Sequence, residues 1–384
     1  MKLYEYEAKQ IFKDHGIPIP LGEPASTPEG AEHAATEIGF PVVLKSQVLV
    51  GGRGKAGGIK FASTANEAKE VATQLIGLNI KGEIVKKFLI EQKIASQHEF
   101  YLGITVDRTE RKLVILASSS GGIDIEEVAA TNPDAIIRHY VDPFLGLQAF
   151  EARAIAAKLK FHGAEQQSLL KIILELYKIG VQYDAELIEI NPLILTEKGS
   201  FVAADARLLV DDNSLFRHPE VAALLKQRTG EFSEREIEAS ELGFSYVELD
   251  GDIGIAGNGA GLVMATLDLV KLYGGDPADF LDIGGGAGAD VTEEAVSLLL
   301  ENPKVRIIFV NILGGITDCA DVARGLIAAF KRVSSGKPIV VRLVGNNQEE
   351  GRRILAEAKI TSLETMEEAA KQAVELAKSI EVRS

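Results

Sequence analysis

Residues 42–63 read VVLKSQVLVGGRGKAGGIKFAS, and the fold of the first half of the chain turns on them. The run PVVLKSQV is rich in β-formers and predicts a strand over 42–48; IKFAS predicts a second strand. Between them lies GGRGKAGG (51–58), with five glycines. No G-x-x-x-x-G-K-[ST] is present, because Ala56 follows Lys55. The loop also returns into a strand, so it is a flap between two strands rather than the cap of a helix. Lys45 stands inside the first strand among apolar or neutral residues, where a lysine rarely belongs without an anionic partner. The glycines let backbone N–H groups approach phosphate oxygens closely. Arg53 and Lys55 add positive charge beside them. A flexible surface loop with solvated cations is the other reading of the same residues.

Outward from the flap, residues 3–15 read as a helix with Tyr4, Ala8, Ile11 and Phe12 at helical spacing. Helices are expected over 29–38, 66–76, 148–160 and 164–180. Three runs, KFLIEQKI, EFYLGITVD and KLVILAS, read as strands. Glu91 and Glu99 fall near the ends of two consecutive strands, where a carboxylate can accept from a ribose hydroxyl or hold a metal; surface glutamates are common there too. Paired strands among helices make this part α+β.

The stretch AELIEINPLILT–EKGS–FVAADARLLV predicts a hairpin centred on Lys198. Asn191 and Asp205 lie seven residues either side of that centre, and Glu189 and Arg207 lie nine. Period-2 alternation projects these four from one face, with Ile188, Ile190, Ala204 and Ala206 on the other. One face suits a core. The other offers hard oxygen ligands, which beside phosphates suit Mg²⁺, an ion that completes its octahedron with phosphate and water; a solvent-exposed salt-bridged face fits the same pattern. The Asn191–Pro192 step suggests an edge strand, where a missing N–H costs little.

The charged stretch 211–245 reads as a linker of short helices, with a domain boundary near 240. Beyond it, strands at 252–256, 279–283, 305–311 and 338–343 alternate with helices at 261–273, 291–300, 318–333 and 348–357; a further helix spans 364–380. Such a β-α-β series implies a parallel sheet with right-handed crossovers. Three glycine-rich loops, 254–261, 282–290 and 311–321, end its strands, and that edge of a parallel sheet is the ligand edge. The glycines at 257, 259 and 261 give G-x-G-x-G, not the dinucleotide spacing G-x-G-x-x-G, so NAD is not expected.

Composition narrows the function. The 384 residues suggest two or three domains at roughly 150 each. A net charge of −15 disfavours wrapping nucleic acid or an anionic membrane. The single cysteine, Cys319, excludes an internal disulfide and a cysteine-rich metal site. The charged start and the lack of a run of about 20 apolar residues predict a soluble chain, cytoplasmic or the mature form of an organellar one. No Ser-His-Asp arrangement stands out.

Taken in order, LYEYEAKQIF, GGRGKAGG, EFYLG, LIEINPL, NGAGLVMATLDLVK, FLDIGGGA and NILGGITDC resemble the β subunits of succinyl-CoA synthetases, the ADP- or GDP-forming succinate–CoA ligases, over essentially the whole chain. The resemblance implies an N-terminal ATP-grasp domain (1–240) followed by a flavodoxin-like parallel α/β CoA-ligase domain (241–384). It implies reversible coupling of ATP or GTP hydrolysis to succinyl-CoA formation in the tricarboxylic acid cycle, with Mg²⁺ and a phosphohistidine on a separate α subunit. On this resemblance Lys45, Gly52, Arg53 and Gly54 match nucleotide phosphate contacts, and Glu91, Ile94 and Glu99 match further nucleotide contacts, Ile94 through its backbone. Asn191 and Asp205 match the Mg²⁺ ligands, and Glu189 a carboxylate that orients the phosphohistidine. Asn258, Gly315, Ile316 and Thr317 match substrate-binding positions shared with the α subunit. Arg207 stands where a lysine is expected, and Thr317 where an apolar residue is common. A malate–CoA ligase large subunit has a similar layout, and a nucleotide-binding regulatory module is the reading from another class.

Overall fold

Helix α1 (Glu5–Asp14) opens the structure, a computed structural model that describes residues 1–228 and 233–381. Its buried residues are Glu5, Glu7, Ala8, Lys9 and Phe12 rather than apolar residues alone. Three of the five buried positions are thus charged, which the apolar spacing does not reveal.

A four-stranded antiparallel sheet follows. It contains β1 (Gly22–Ala25), β2 (Val42–Ser46) and β3 (Ile59–Ala62), then, past a short pair β4 (Asn79–Ile80) and β5 (Glu83–Ile84), β6 (Phe88–Gln92); the order is β1-β6-β2-β3. Helices α2 (Pro28–Ile38) and α3 (Ala65–Leu75) begin at Thr27 and Thr64, whose hydroxyls accept from Gly30 and Glu67 N–H and so satisfy open helix donors. Their alanine-rich faces bury Val42, Leu44, Phe88 and Ile90. Alternation then sends Val43, Lys45 and Glu91 to the opposite face of the sheet.

The second sheet holds β7 (His98–Asp107), β8 (Lys112–Ser118), β9 (Ile136–Tyr140), β10 (Ala185–Leu195), β11 (Phe201–Ala203) and β12 (Arg207–Val210). Its order is β11-β10-β7-β8-β9, with β12 also on β10. Helices α4 (Ile125–Thr131), α5 (Ala149–Lys158) and α6 (Gly163–Gln182) belong to the same unit; α6 buries Leu169, Ile172, Ile173 and Leu176. The expected hairpin register holds on both arms: Leu193 pairs with Ala203 and Glu189 with Arg207. The expected edge position of Pro192 does not, because β10 is paired on both sides. The ladder to β7 shifts register between Ile190 and Leu193, and that irregularity accommodates the missing N–H.

Contacts divide the chain into Met1–Ala222 and Ala223–Ser384. The expected boundary near 240 falls at the end of α8. The stretch read as a linker forms a 3₁₀ turn at Asp212–Arg217, α7 (Pro219–Gln227) and α8 (Glu234–Glu241); residues 229–232 lie outside the described residues. The second unit then runs β13 (Ser245–Glu248), β14 (Ile253–Gly257), α9 (Ala260–Leu272), β15 (Asp279–Asp282), α10 (Ala289–Glu301), β16 (Ile307–Gly314), α11 (Cys319–Arg332), β17 (Ile339–Gly345), α12 (Gln348–Glu357), β18 (Ser362–Leu363) and α13 (Met366–Glu381). Spatial order is β13-β15-β14-β16-β17-β18. Numbered from β14, the parallel strands lie 2-1-3-4-5, the flavodoxin order. β13 is the departure, an antiparallel edge strand on β15. α10, α11 and α12 pack on one face of this sheet, α9 and α13 on the other.

Candidate functional site

A cleft of about 1190 Å³ opens in the first unit between its two sheets. Lys45, Gly52, Arg53, Gly54, Glu91, Ile94, Glu99, Glu189, Asn191 and Asp205 all line it. The flap is where the sequence puts it, a loop between paired β2 and β3. Its own backbone holds it folded: Ala56 N–H donates to Gly52 O, and Gly58 N–H to Arg53 O.

Beneath the flap lies a buried cluster of charge. Lys45 reaches Glu5 at 2.7 Å and Glu91 at 2.8 Å, and also donates to the Ala204 carbonyl. Lys9 contacts Glu5 at 2.9 Å and both oxygens of Glu91 at 2.5 and 2.7 Å. Arg53 joins Glu5 at 2.8 Å and Asp205 at 3.0 Å. The anionic partner that Lys45 demands is therefore a pair of carboxylates of this chain. Glu91, 1% exposed, faces two lysines. Burial opposes ionisation of Glu5, yet Lys45, Lys9 and Arg53 overcome it and hold its carboxyl well below the usual range. Burial likewise opposes the Lys45 ammonium, and Glu5, Glu91 and Asp205 outweigh it and raise its pKa. Glu5 and Lys9 escape a reading of the sequence, since helical charges are normally solvated and an i,i+4 Glu–Lys pair is what a solvated face also carries.

The hairpin face also points into the cleft. Asn191 accepts from Gly122 N–H at 2.8 Å and donates to Ile123 O at 2.9 Å, so the 122–123 turn sits against it. Gly122 has φ +73°, a left-handed conformation that favours glycine, and a Cβ there would displace the Glu99 carboxylate. Burial, then Asp205 and Glu126, raise the Glu189 carboxyl against the pull of Arg207. Burial and Glu5 raise Asp205, opposed by Arg53 and both lysines. Asn191 and Asp205 offer hard oxygen donors, a set that suits Mg²⁺. Among the described residues no group of three His, Cys, Asp or Glu side chains is placed to hold a metal ion by itself.

In the second unit, Asn258 and the 315–317 loop meet at the switch point between β14 and β16. Asn258 donates to Leu313 O at 2.9 Å and Thr317 Oγ1 at 3.0 Å, and accepts from Leu313 N–H at 2.8 Å. Thr317, 1% exposed, also accepts from Gly286 N–H at 3.0 Å. Asp282 accepts from Gly259 and Gly284 N–H. Three glycine-rich loops are thereby tied into one rim. The amide of Asn258 holds the rim together, while Gly315 faces open space and Ile316 is exposed.

Comparison with known proteins fits this geometry. The ATP-grasp domain profile matches residues 2–195, and the CoA-ligase profile residues 257–378. Succinate–CoA ligase [ADP-forming] subunit beta of Pyrobaculum calidifontis is 52% identical over 98% of this chain and all of its own length. The protein of the same name from Ignicoccus hospitalis is 52% identical over 99% of this chain. The chain belongs to the succinate–CoA ligase β-subunit family. It is thus a ligase subunit with an ATP-grasp half and a CoA-ligase half. A solved ATP citrate lyase from Methanothrix soehngenii, in complex with citrate and coenzyme A, shares the fold at a TM-score of 0.75 over 97% of this chain and 99% of its own, at 19% identity. Within the β-subunit framework, Glu5 and Lys9, both inside the LYEYEAKQIF stretch, join the charged cluster beneath the flap.

Proposed function

We propose that the chain binds Mg·ADP or Mg·ATP in the cleft and, with an α subunit, reversibly converts succinyl-CoA, ADP and phosphate into succinate, CoA and ATP. The observation that carries this reading is the convergence of Lys45, the flap, Glu91, Ile94, Glu99, Glu189, Asn191 and Asp205 on one cleft from segments far apart in sequence. The names of the relatives favour ADP over GDP and succinate over malate.

In the ATP-forming direction, phosphate displaces CoA from the thioester, a histidine nitrogen takes the phosphoryl group and releases succinate, and an ADP oxygen then takes it from the histidine. None of the six histidines of this chain lines the cleft, which supports a carrier on the α subunit. Lys45 and Arg53 supply fixed positive charge to the phosphates, and the flap glycines supply N–H donors. Asn191 and Asp205 would hold Mg²⁺, which offsets charge on the phosphate oxygens. Glu189, its carboxyl raised by burial, would accept from the incoming imidazole N–H and orient it. The rim at Asn258, Gly315, Ile316 and Thr317 would meet succinate and CoA together with the α subunit. A cytoplasmic setting fits Cys319, buried and unpaired with another cysteine; no helix among the described residues is long and apolar enough to cross a membrane.

The test compares the chain alone with the chain plus its α subunit, given ATP or GTP, Mg²⁺, CoA, and succinate or malate. Nucleotide binding by the chain alone, with thioester only when both subunits and succinate are present, is expected. Thioester made by this chain alone, or a phosphohistidine on it, would overturn the reading.

A further inference from the structure

The strongest observation that the proposed chemistry leaves unused is the grip of Arg53 on Asp205. One arm of the guanidinium lies 3.1 and 3.0 Å from the two carboxylate oxygens. The other arm is held by Glu5 at 2.8 Å and the Ser46 carbonyl at 3.2 Å. Asp205 Oδ1 additionally accepts from Ala206 N–H at 2.7 Å. An ionised carboxylate offers about four acceptor sites, and these contacts occupy most of them.

Charge points the same way. Lys9, Lys45 and Arg53 balance Glu5, Glu91 and Asp205 in one connected cluster. A bare divalent cation at Asp205 would sit beside a guanidinium in a cluster that is already neutral, with poor screening by solvent. A nucleotide brings several negative charges to the same place, and planar phosphate recognition is what a guanidinium does well. Arg53 rides on the flap, flanked by Gly52 at φ +83° and by Gly54, so the backbone around it is free of bulky side chains.

Resting on the assignment of Asp205 as a metal ligand, we propose that Arg53 is a latch: it closes Asp205 to free divalent cations and releases it when nucleotide phosphates draw the guanidinium away. The metal then enters only with the nucleotide, and Arg53 serves as a positioning residue for the metal as well as a phosphate contact.

The experiment titrates Mn²⁺ into the full chain and follows free Mn²⁺ by electron paramagnetic resonance, with circular dichroism and a thermal melt on each variant. Arg53→Gln should bind Mn²⁺ alone at least tenfold more tightly than the wild type, and Arg53→Gln/Asp205→Asn should lose that gain. In the wild type, ATP should tighten Mn²⁺ binding by a larger factor than in Arg53→Gln. An Arg53→Gln chain with wild-type Mn²⁺ affinity, or a gain that survives Asp205→Asn, overturns the latch. If Arg53→Gln does not fold, Arg53→Lys, which keeps the charge but loses the fork, replaces it: a smaller gain supports the latch and no gain overturns it. Mg·ATP binding to the wild type is measured in parallel. Its failure would remove the nucleotide reading; intact Mg·ATP binding without a gain in the variant would remove the latch alone.

Discussion

Lys9 sets its ammonium against both oxygens of Glu91, at 2.5 and 2.7 Å, across 82 residues of sequence. Both side chains are almost completely buried. The pair joins α1 to β6 and so fixes the floor of the cleft. Removing one partner of a buried pair strands the other charge, at a cost of about 3–5 kcal/mol. Lys45 still pairs with Glu91 at 2.8 Å, so Lys9→Met should lower the urea-unfolding free energy of the first unit by no more than the low end of that range, about 3 kcal/mol. Lys69, whose contacts with Glu29 and Glu32 lie in solvent, provides the contrast: Lys69→Ala should leave the curve where it was. Equal effects at the two positions would show that the Lys9 pair contributes nothing special.

The cleft's walls are legible in the sequence where periodicity and a turn fix geometry together. The E-K-G-S turn and strict alternation are enough to set Glu189 opposite Arg207, as the structure has them. The floor is not legible. Glu5 and Lys9 look like solvated helical charges, because a helix gives charge no rule comparable to strand alternation, and only β6 arriving from far along the chain makes their stripe an interior one. The antiparallel strand β13 is hidden for a related reason: its partner β15 decides its direction, and nothing within SYVE does. Pro192 misleads because a bulge in a central strand tolerates proline as well as an edge does.

Lys45 lies between Glu5 and Glu91 and also faces the cleft, so its charge serves two purposes. Lys45→Met should weaken ATP binding by about 2–4 kcal/mol, the scale for losing a desolvated charge-assisted contact. It should also lower stability, since two buried carboxylates lose a counter-charge. Calorimetric titration of ATP into the folded variant separates these effects. Unchanged affinity would reduce Lys45 to a structural member of the cluster.

Asp205→Asn should leave the fold intact while weakening Mg·ADP binding about tenfold or more, the equivalent of about 1.4 kcal/mol. The amide keeps an oxygen toward the cleft but gives up the charge that a hard cation prefers. Mg·ADP titration checks this, with metal-free ADP as the control that should move less. Equal Mg·ADP affinity in the two chains would remove Asp205 from the metal.

Thr317 joins two loops through one hydroxyl, accepting from Gly286 N–H and the Asn258 amide. Thr317→Val keeps the shape but takes the acceptor from the exposed Gly286 N–H and from one N–H of the half-buried Asn258 amide, which keeps Leu313 O; the cost is about 0.5–1.5 kcal/mol, that of an ordinary hydrogen bond. Hydrogen exchange at the Gly286 amide should quicken in Thr317→Val and stay slow in Thr317→Ser. An apolar residue here would demand a different tie between the loops. Unchanged protection in the valine variant would mean that backbone packing alone holds the rim.

Asp279 contributes a pH dependence to the second unit. It is wholly buried at the start of β15; Oδ1 accepts from Ile255 N–H at 3.1 Å, and Oδ2 has no hydrogen-bond partner. Gly254, without a side chain, leaves Oδ2 its space, since a Cβ there would stand 3.3 Å from it. Burial, helped by Glu248 and opposed by the Ile255 N–H, raises the carboxyl well above the ordinary aspartate value. The native state therefore holds its proton over a range where the unfolded chain, with a pKa of about 3.9, has released it. Below that unfolded value both states are protonated and the group costs nothing. As the pH climbs from there toward the folded pKa, the native state must take up a proton that the unfolded chain does not carry, and stability falls by about 1.4 kcal/mol per pH unit. Asp279→Asn has no proton to hold, so its advantage over the wild type should be absent near pH 4 and grow as the pH rises toward neutrality. Urea unfolding of the second unit at several pH values in that interval reads the difference directly. Two stability curves that stay parallel from pH 4 to 8 would show that Asp279 is ionised in the folded protein and that its second oxygen has found a partner.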